Sequence, residues 1–381
     1  MLDNLTNNFD KHLQTEMILL DFSKAFDSIS HNILEFVLNQ IHIDANTLKW
    51  IKYLLSSRTQ QTIVDGQLSE EIRVRSGVPQ GSVIAPQLFN IYVNILLRKL
   101  QSCDDVTALA FADDLKLVSS NPSKLQHALS ITEDWCKKFK LKLNPDKSEH
   151  LCFREQTSAT FFICSEPIKK VVQTKDIGIT VTTDLKWKTE VSIISAKATS
   201  LCYVILWALT CTTVEPYVKA YKSFVRPSLE FSTVIWNSCQ LTEIRSLEKV
   251  QRLFTRKVLQ RLNIRYDSYD DRLEILQLQR LEMRRLHSDL ITVYKILTNM
   301  IDLSFDNFFT PIPTTYNLRR HSITLLYPPR PKSNVQQNSF KYRVIKAWNS
   351  LSEDTVKANT LNTFKSHLKS ANLNRFLRDT V

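Results

Sequence analysis

The chain has 381 residues, 43% of them hydrophobic, which is enough for two or three domains with a buried core. Fifty Lys and Arg against 38 Asp and Glu leave a formal charge of +12, favouring a polyanionic partner over an acidic small substrate. Seven cysteines with no CxxC pair argue against a disulfide framework and a zinc site, and neither a secretory leader nor an apolar run near the roughly 18 residues of a membrane span is visible. These features predict an intracellular protein of nucleus or cytoplasm, not secreted and without a membrane partner.

Residues 17–22, MILLDF, form a continuous apolar run that predicts a short buried strand, and SKAFDSISHNILEFVLNQI behind it has helical spacing. TQQTIVDGQLSEEIRVRSG alternates around Asp65 and Gly66, the signature of a type I′ hairpin. SVIAPQLFNIYVNILLRKL predicts a long helix, and VTALAFADDLKLVSS predicts two strands joined at an acidic pair. LQHALSITEDWCKKFKLKL predicts a further helix, stopped by Asn144 and Pro145. The order is that of an α+β layer with helices backing an antiparallel sheet. From about Glu190 helical patterns dominate, with Pro216 and Pro227 read as breaks and a Pro-rich stretch, TPIPTTY and YPPRPKS, ahead of a last helical segment.

Only four glycines occur, Gly66, Gly77, Gly81 and Gly178. So rare a residue marks places where the backbone takes positive φ or a ligand comes close. Two acidic positions also stand out: Asp21 at a strand end, and Asp113 with Asp114 between the apolar halves of a hairpin. Crowded carboxylates repel unless cations neutralise them, and hard oxygen donors of this kind select Mg²⁺. Singly, Asp21 reads equally as a helix cap and Asp113–Asp114 as an ordinary turn.

LLDFSKAFD (19–27), SGVPQGSVIAPQLFNIYVN (76–94) and FADD (111–114), in this order, resemble motifs A, B and C of reverse transcriptases, with flanking text like that of the non-LTR retrotransposon (LINE-type) branch. LKLNPDKSEHLCF (141–153) resembles motif D, and DIGITVTTDLKW (176–187) resembles motif E, the primer grip. The resemblance implies a right-hand polymerase palm followed by a mostly α-helical thumb and C-terminal region. It divides the chain into palm (1–165), primer-grip hairpin (166–189), thumb (190–265) and C-terminal region (266–381).

By the same resemblance Asp21, Asp113 and the carbonyl of Phe22 hold two Mg²⁺ ions, with Mn²⁺ as a substitute, and Asp114 supports them. Phe26 sits against the sugar of the incoming nucleotide and excludes a 2′-hydroxyl. Gln80 and Gly81 lie near that nucleotide, Gly77 and Pro79 near template and primer, and Gly178 in the primer-grip turn. Lys147 is the motif D general acid. The implied partners are an RNA template, a DNA primer and deoxynucleoside triphosphates. Arg58 matches a family position without an assigned role.

Periodicity adds an independent element in TEIRSLEKVQRLFTRKVLQR. Arg245, Lys249, Arg252 and Arg256 recur on one helical face, and Leu247, Val250, Phe254 and Val258 on the other. Such a stripe suits the phosphates of a template–primer duplex. Twenty residues precede Asp21, so the family's fingers and endonuclease are expected to be absent, and the isolated chain to lack a triphosphate clamp. A truncated relic that only binds nucleic acid through its basic thumb is the alternative reading.

Overall fold

Thr15–Leu20 is apolar at nearly every position and becomes the central strand of a five-stranded sheet. In the computed structural model, which describes residues 2–237, 240–312 and 325–379, the strand order is Lys169–Lys170, Glu149–Phe153, Thr15–Leu20, Asp114–Ser119, Thr107–Phe111. The pairings are antiparallel except at the Lys169–Lys170 edge, which runs parallel to its neighbour. Two-residue side-chain alternation sends Ile18, Leu20, Leu115 and Leu117 to one face. There they share a core with Phe89, Tyr92 and Leu96 of the Ala85–Gln101 helix and with Leu125, Leu129 and Trp135 of the Pro122–Phe139 helix. Each such side chain, fully buried, stabilises the fold by roughly 1.5–3 kcal/mol. This is the helix-backed antiparallel sheet predicted for a palm.

Three local predictions need correction. The helix predicted over 23–41 is broken into Ala25–Ser28 and His31–Gln40, because Ser30 forms a bridge with the distant Ser76. The helix predicted to run to Asn144 ends at Phe139, where Lys140 takes φ 56 as a left-handed cap and the Leu141 N–H donates back to Cys136. Pro216 and Pro227 do not break helices. Pro216 sits early in Val214–Ala220, where a missing N–H has no intrahelical partner to lose, and Pro227 lies within a helical run that passes from there through a π-helical turn, Tyr221–Val225, into Arg226–Glu230.

The chain divides into two compact units, Met1–Thr174 and Lys175–Val381. The boundary falls inside the segment read as the primer-grip hairpin. In the second unit the Lys188–Ala208 and Leu241–Arg261 helices share a core that includes Val191, Cys202, Leu247, Val250, Phe254 and Val258. A separate cluster gathers Leu290, Tyr294, Trp348 and Phe364 farther along. Contrary to the sequence prediction, the Lys188–Ala208 helix is long and apolar enough to cross a membrane by length and composition. Its buried edge, with Ala198, Cys202 and Ile205, serves the core of this second unit, while Trp207 is 84% exposed. Six cysteines are described and all are free thiols. Burial pushes the Cys136 and Cys202 thiols up to about 12. Cys239 and residues 313–324 of the Pro-rich stretch lie outside the described residues.

Candidate active site

The central strand ends at Leu20, whose ladder partner is Leu115. One step farther, the same antiparallel count sets Asp21 and Asp114 at facing strand ends, where opposed Cα atoms are ordinarily about 5 Å apart. Strands Thr107–Phe111 and Asp114–Ser119 are joined by only Ala112 and Asp113, with Phe111 opposite Asp114. Ala112 supplies the turn's positive φ, at 51°, which costs an alanine roughly 1–2 kcal/mol. Asp21 and Asp113 are half-buried and Asp114 is exposed.

Backbone alternation directs one more oxygen to this place. The Asn144 N–H donates to the Asp21 carbonyl (2.9 Å) and the Ser23 N–H to the Lys142 carbonyl (2.8 Å), bracketing a Phe22–Leu143 bridge. The carbonyl of Phe22 is therefore turned to the other edge of the strand, the edge that Asp114 borders, while its ring is buried. The Ser148 hydroxyl accepts from the Asp21 N–H (3.4 Å) and donates to the Asn144 carbonyl (2.8 Å), fastening the turn that carries exposed Lys147 to the strand end.

Among the described residues no group of three or more His, Cys, Asp and Glu side chains is placed to hold a metal ion. Mg²⁺, however, is usually bound by one or two carboxylates with waters and substrate phosphates, not by a closed protein cage. Two carboxylates and a backbone carbonyl, all hard oxygens, fit it.

The glycine loop is stitched to the same region. Gly77 has φ 81, and a Cβ there would lie 2.6 Å from the Asp27 Cα and 2.8 Å from the Phe26 carbonyl oxygen. Its N–H donates to Ile29, and Val78 donates to Phe26. The Gln80 side-chain amide donates to Asp27 Oδ1 at 2.8 Å, and Pro79 is half-buried. Gly81 has φ 84 with open space where a Cβ would be. The Phe26 ring is half-buried and stacked on Phe89, centroids 4.6 Å apart.

The profile of the family described as "Reverse transcriptase (RNA-dependent DNA polymerase)" matches residues 2–193, half of the chain. The chain belongs to the reverse transcriptase family. A Pol polyprotein from the type-1 retrotransposable element R2 of Popillia japonica is 30% identical over 44% of this chain and 24% of that protein. A probable RNA-directed DNA polymerase from transposon X-element of Drosophila melanogaster is 22% identical over 68% of this chain and 30% of that protein. These relatives bear out the non-LTR branch. This reverse transcriptase chain spans about a quarter to a third of their length. Among solved structures, apo telomerase from Candida tropicalis aligns at 14% identity and a TM-score of 0.43, over 79% of this chain and 54% of that one.

Within this reverse transcriptase, Arg58 and His31 form a support that sequence reasoning missed. Arg58 Nη2 donates to the Gly77 carbonyl at 2.6 Å and His31 Nε2 lies 2.8 Å from the same oxygen. Burial lowers the Arg58 pKa, and the Asp27 charge opposes that fall. Position alone gave no signal of this, because the partners are 19 and 46 residues apart.

In the second unit, Gly178 has φ 86 beside Ile177 at φ 44, so the predicted tight turn is present. Leu247, Val250, Phe254 and Val258 are buried as their periodicity requires. On the opposite face Arg245, Lys249 and Arg256 are exposed and Arg252 is half-buried, and Arg245 and Arg252 each donate to the Asp379 carboxylate at 3.2 Å.

Proposed function

We propose that this chain carries the nucleotidyl-transfer site of an RNA-directed DNA polymerase, extending a DNA primer along an RNA template with deoxynucleoside triphosphates. The observation that carries the reading is the meeting of Asp21, the Phe22 carbonyl and the Asp113–Asp114 turn at adjacent strand ends of one sheet. Asp21, Asp113 and the Phe22 carbonyl would hold two Mg²⁺ ions, for which Mn²⁺ substitutes, with Asp114 supporting them. Held there, the ions would supply positive charge that favours loss of the primer 3′-hydroxyl proton to solvent and offsets the charge of the pyrophosphate.

The remaining residues position and shield. The primer 3′-oxygen attacks the α-phosphorus, a new phosphodiester forms, and pyrophosphate leaves. Lys147 gives that leaving group a proton. Phe26 presents its exposed edge to the sugar and rejects a 2′-hydroxyl. Gly77, Pro79, Gln80 and Gly81 line the approach of nucleotide and template, with Arg58 and His31 holding the Gly77 carbonyl in place. Gly178 shapes the primer-grip turn, and Arg245, Lys249, Arg252 and Arg256 face duplex phosphates. An intracellular site of action, nucleus or cytoplasm, follows from these substrates.

Primer extension on poly(rA)/oligo(dT) with thymidine triphosphate and Mg²⁺ tests the proposal. Incorporation by the chain and its loss in Asp113→Ala are expected; incorporation that survives the substitution rejects the ligand assignment.

A further inference from the structure

The basic stripe of the Leu241–Arg261 helix is not uniformly open. Arg245 and Arg252 lie seven residues, about two turns, apart and so share a face. The Asp379 carboxylate bridges them, Oδ1 taking Arg245 Nε and Oδ2 taking Arg252 Nη2, both at 3.2 Å. Arg280 adds a third contact, Nη1 to the Asp379 carbonyl at 2.7 Å. The Asp379 side chain is only 4% exposed, against 54% for Arg245 and 34% for Arg252. Glu282 holds the same segment by its backbone, accepting from the N–H groups of Arg378 (2.8 Å) and Asp379 (3.1 Å).

A carboxylate offering two oxygens to two guanidinium groups imitates the two unesterified oxygens of a phosphodiester. It does so where the helix presents its cations. The Asp379 contact pairs two of the stripe's four cations and leaves Lys249 and Arg256, both exposed, outside it. Because both arginines keep exposed surface, they can hydrate or meet another anion without unfolding the helix. Asp270 already engages Arg280 through Nε and Nη2, so Arg280 holds the segment in place while Arg245 and Arg252 are the groups available for exchange.

We propose that Arg245 and Arg252 form a phosphate-binding site which the Asp379 carboxylate occupies as an internal competitor, so that the 374–379 segment, anchored by Arg280, is an autoinhibitory strap displaced by nucleic-acid backbone. This rests on the reading of the stripe as a duplex-binding face. It goes further in dividing the stripe into two open cations and two masked ones.

The test is a set of binding curves for a fluorescent RNA–DNA duplex over a range of salt concentrations. Asp379→Asn keeps the side chain's size and one acceptor but removes the competing charge. It is expected to lower Kd about five- to tenfold and to steepen the logarithmic salt dependence by about one to two, the increment for one or two further phosphate contacts. In the parent chain Arg245→Gln with Arg252→Gln should weaken binding less than Lys249→Gln with Arg256→Gln. In the Asp379→Asn background the first pair should abolish the gain. Glu282→Gln, which loosens the strap from its other side, gives an independent check should Asp379→Asn fold poorly, and it should move Kd in the same direction.

An unchanged Kd and salt slope in both Asp379→Asn and Glu282→Gln, with Lys249→Gln/Arg256→Gln still weakening binding, overturns the strap and leaves the stripe standing. If Lys249→Gln/Arg256→Gln changes nothing either, the stripe itself fails. Inorganic phosphate serves as the second probe: a gain confined to it in Asp379→Asn, with no gain for the duplex, would mean a free-anion site and overturn the proposal.

Discussion

Gly77 and Asp27 are packed backbone to backbone, so closely that a Cβ on Gly77 would stand 2.6 Å from the Asp27 Cα and 2.7 Å from its carbonyl oxygen. Neither neighbour is a flexible side chain that could swing aside, and φ is 81. Gly77→Ala should therefore lose roughly 2–4 kcal/mol, adding overpacking to backbone strain. Gly81→Ala, with the same sign of φ but open space, should lose only about 1 kcal/mol. Urea denaturation of the two variants decides this; equal losses would show that the Gly77–Asp27 approach is not what fixes the loop.

Phe26 is half-buried and stacked on Phe89. Phe26→Ala is expected to cost about 1–3 kcal/mol through lost packing. It should also raise ribonucleotide incorporation relative to deoxyribonucleotide by about tenfold or more. A stability loss with unaltered sugar discrimination would leave Phe26 a core aromatic only.

His287 carries the clearest pH signal in the second unit. Burial, with the charges of Arg284 and Lys369 adding to it, brings its pKa down to about 4 from an ordinary 6.5. The folded state thus resists a proton that the unfolded chain accepts. Stability is full above about pH 6.5, falls as pH drops from there toward 4, and loses nothing further from this group below that. The total is at most about 3 kcal/mol. His287→Gln should flatten the stability profile in that window, as read by thermal unfolding at stepped pH; a profile parallel to the parent's contradicts the assignment.

Ile177 is a β-branched residue held at φ 44, a conformation that crowds its Cβ, and it is 43% exposed. Ile177→Asn should relieve that strain and stabilise the chain by about 0.5–1 kcal/mol, raising the melting temperature by a few degrees at most. No change, or a fall, would mean that the Ile177 side chain contributes more than the strain it carries.

Much of the palm was legible because its signals are local. The apolar run of Thr15–Leu20, the Asp65–Gly66 turn at φ 49 and 79, and the helical spacing of Ala85–Gln101 depend on neighbours in the chain. What escaped depends on distant partners. The helix break before His31 comes from Ser30 meeting Ser76, and the convergence of His31 and Arg58 on one carbonyl needs three separate segments to fold together. The early stop at Lys140 escaped because a lysine, not a glycine, takes the left-handed cap. The masking of Arg245 and Arg252 escaped because Asp379 lies 134 and 127 residues away. At the acidic site itself, residue identities were readable from the motifs, whereas the turning of the Phe22 carbonyl needed the Leu143 bridge.

Single-turnover nucleotide incorporation in a double-substitution cycle of Asp21→Asn and Asp113→Asn tests most directly whether these two carboxylates act as one unit. Each single substitution should slow incorporation by about a thousandfold or more, and the double substitution should be scarcely slower than either, as for residues that act together. Two losses that multiply in the double variant would mean that Asp21 and Asp113 contribute separately, and would contradict a shared metal site.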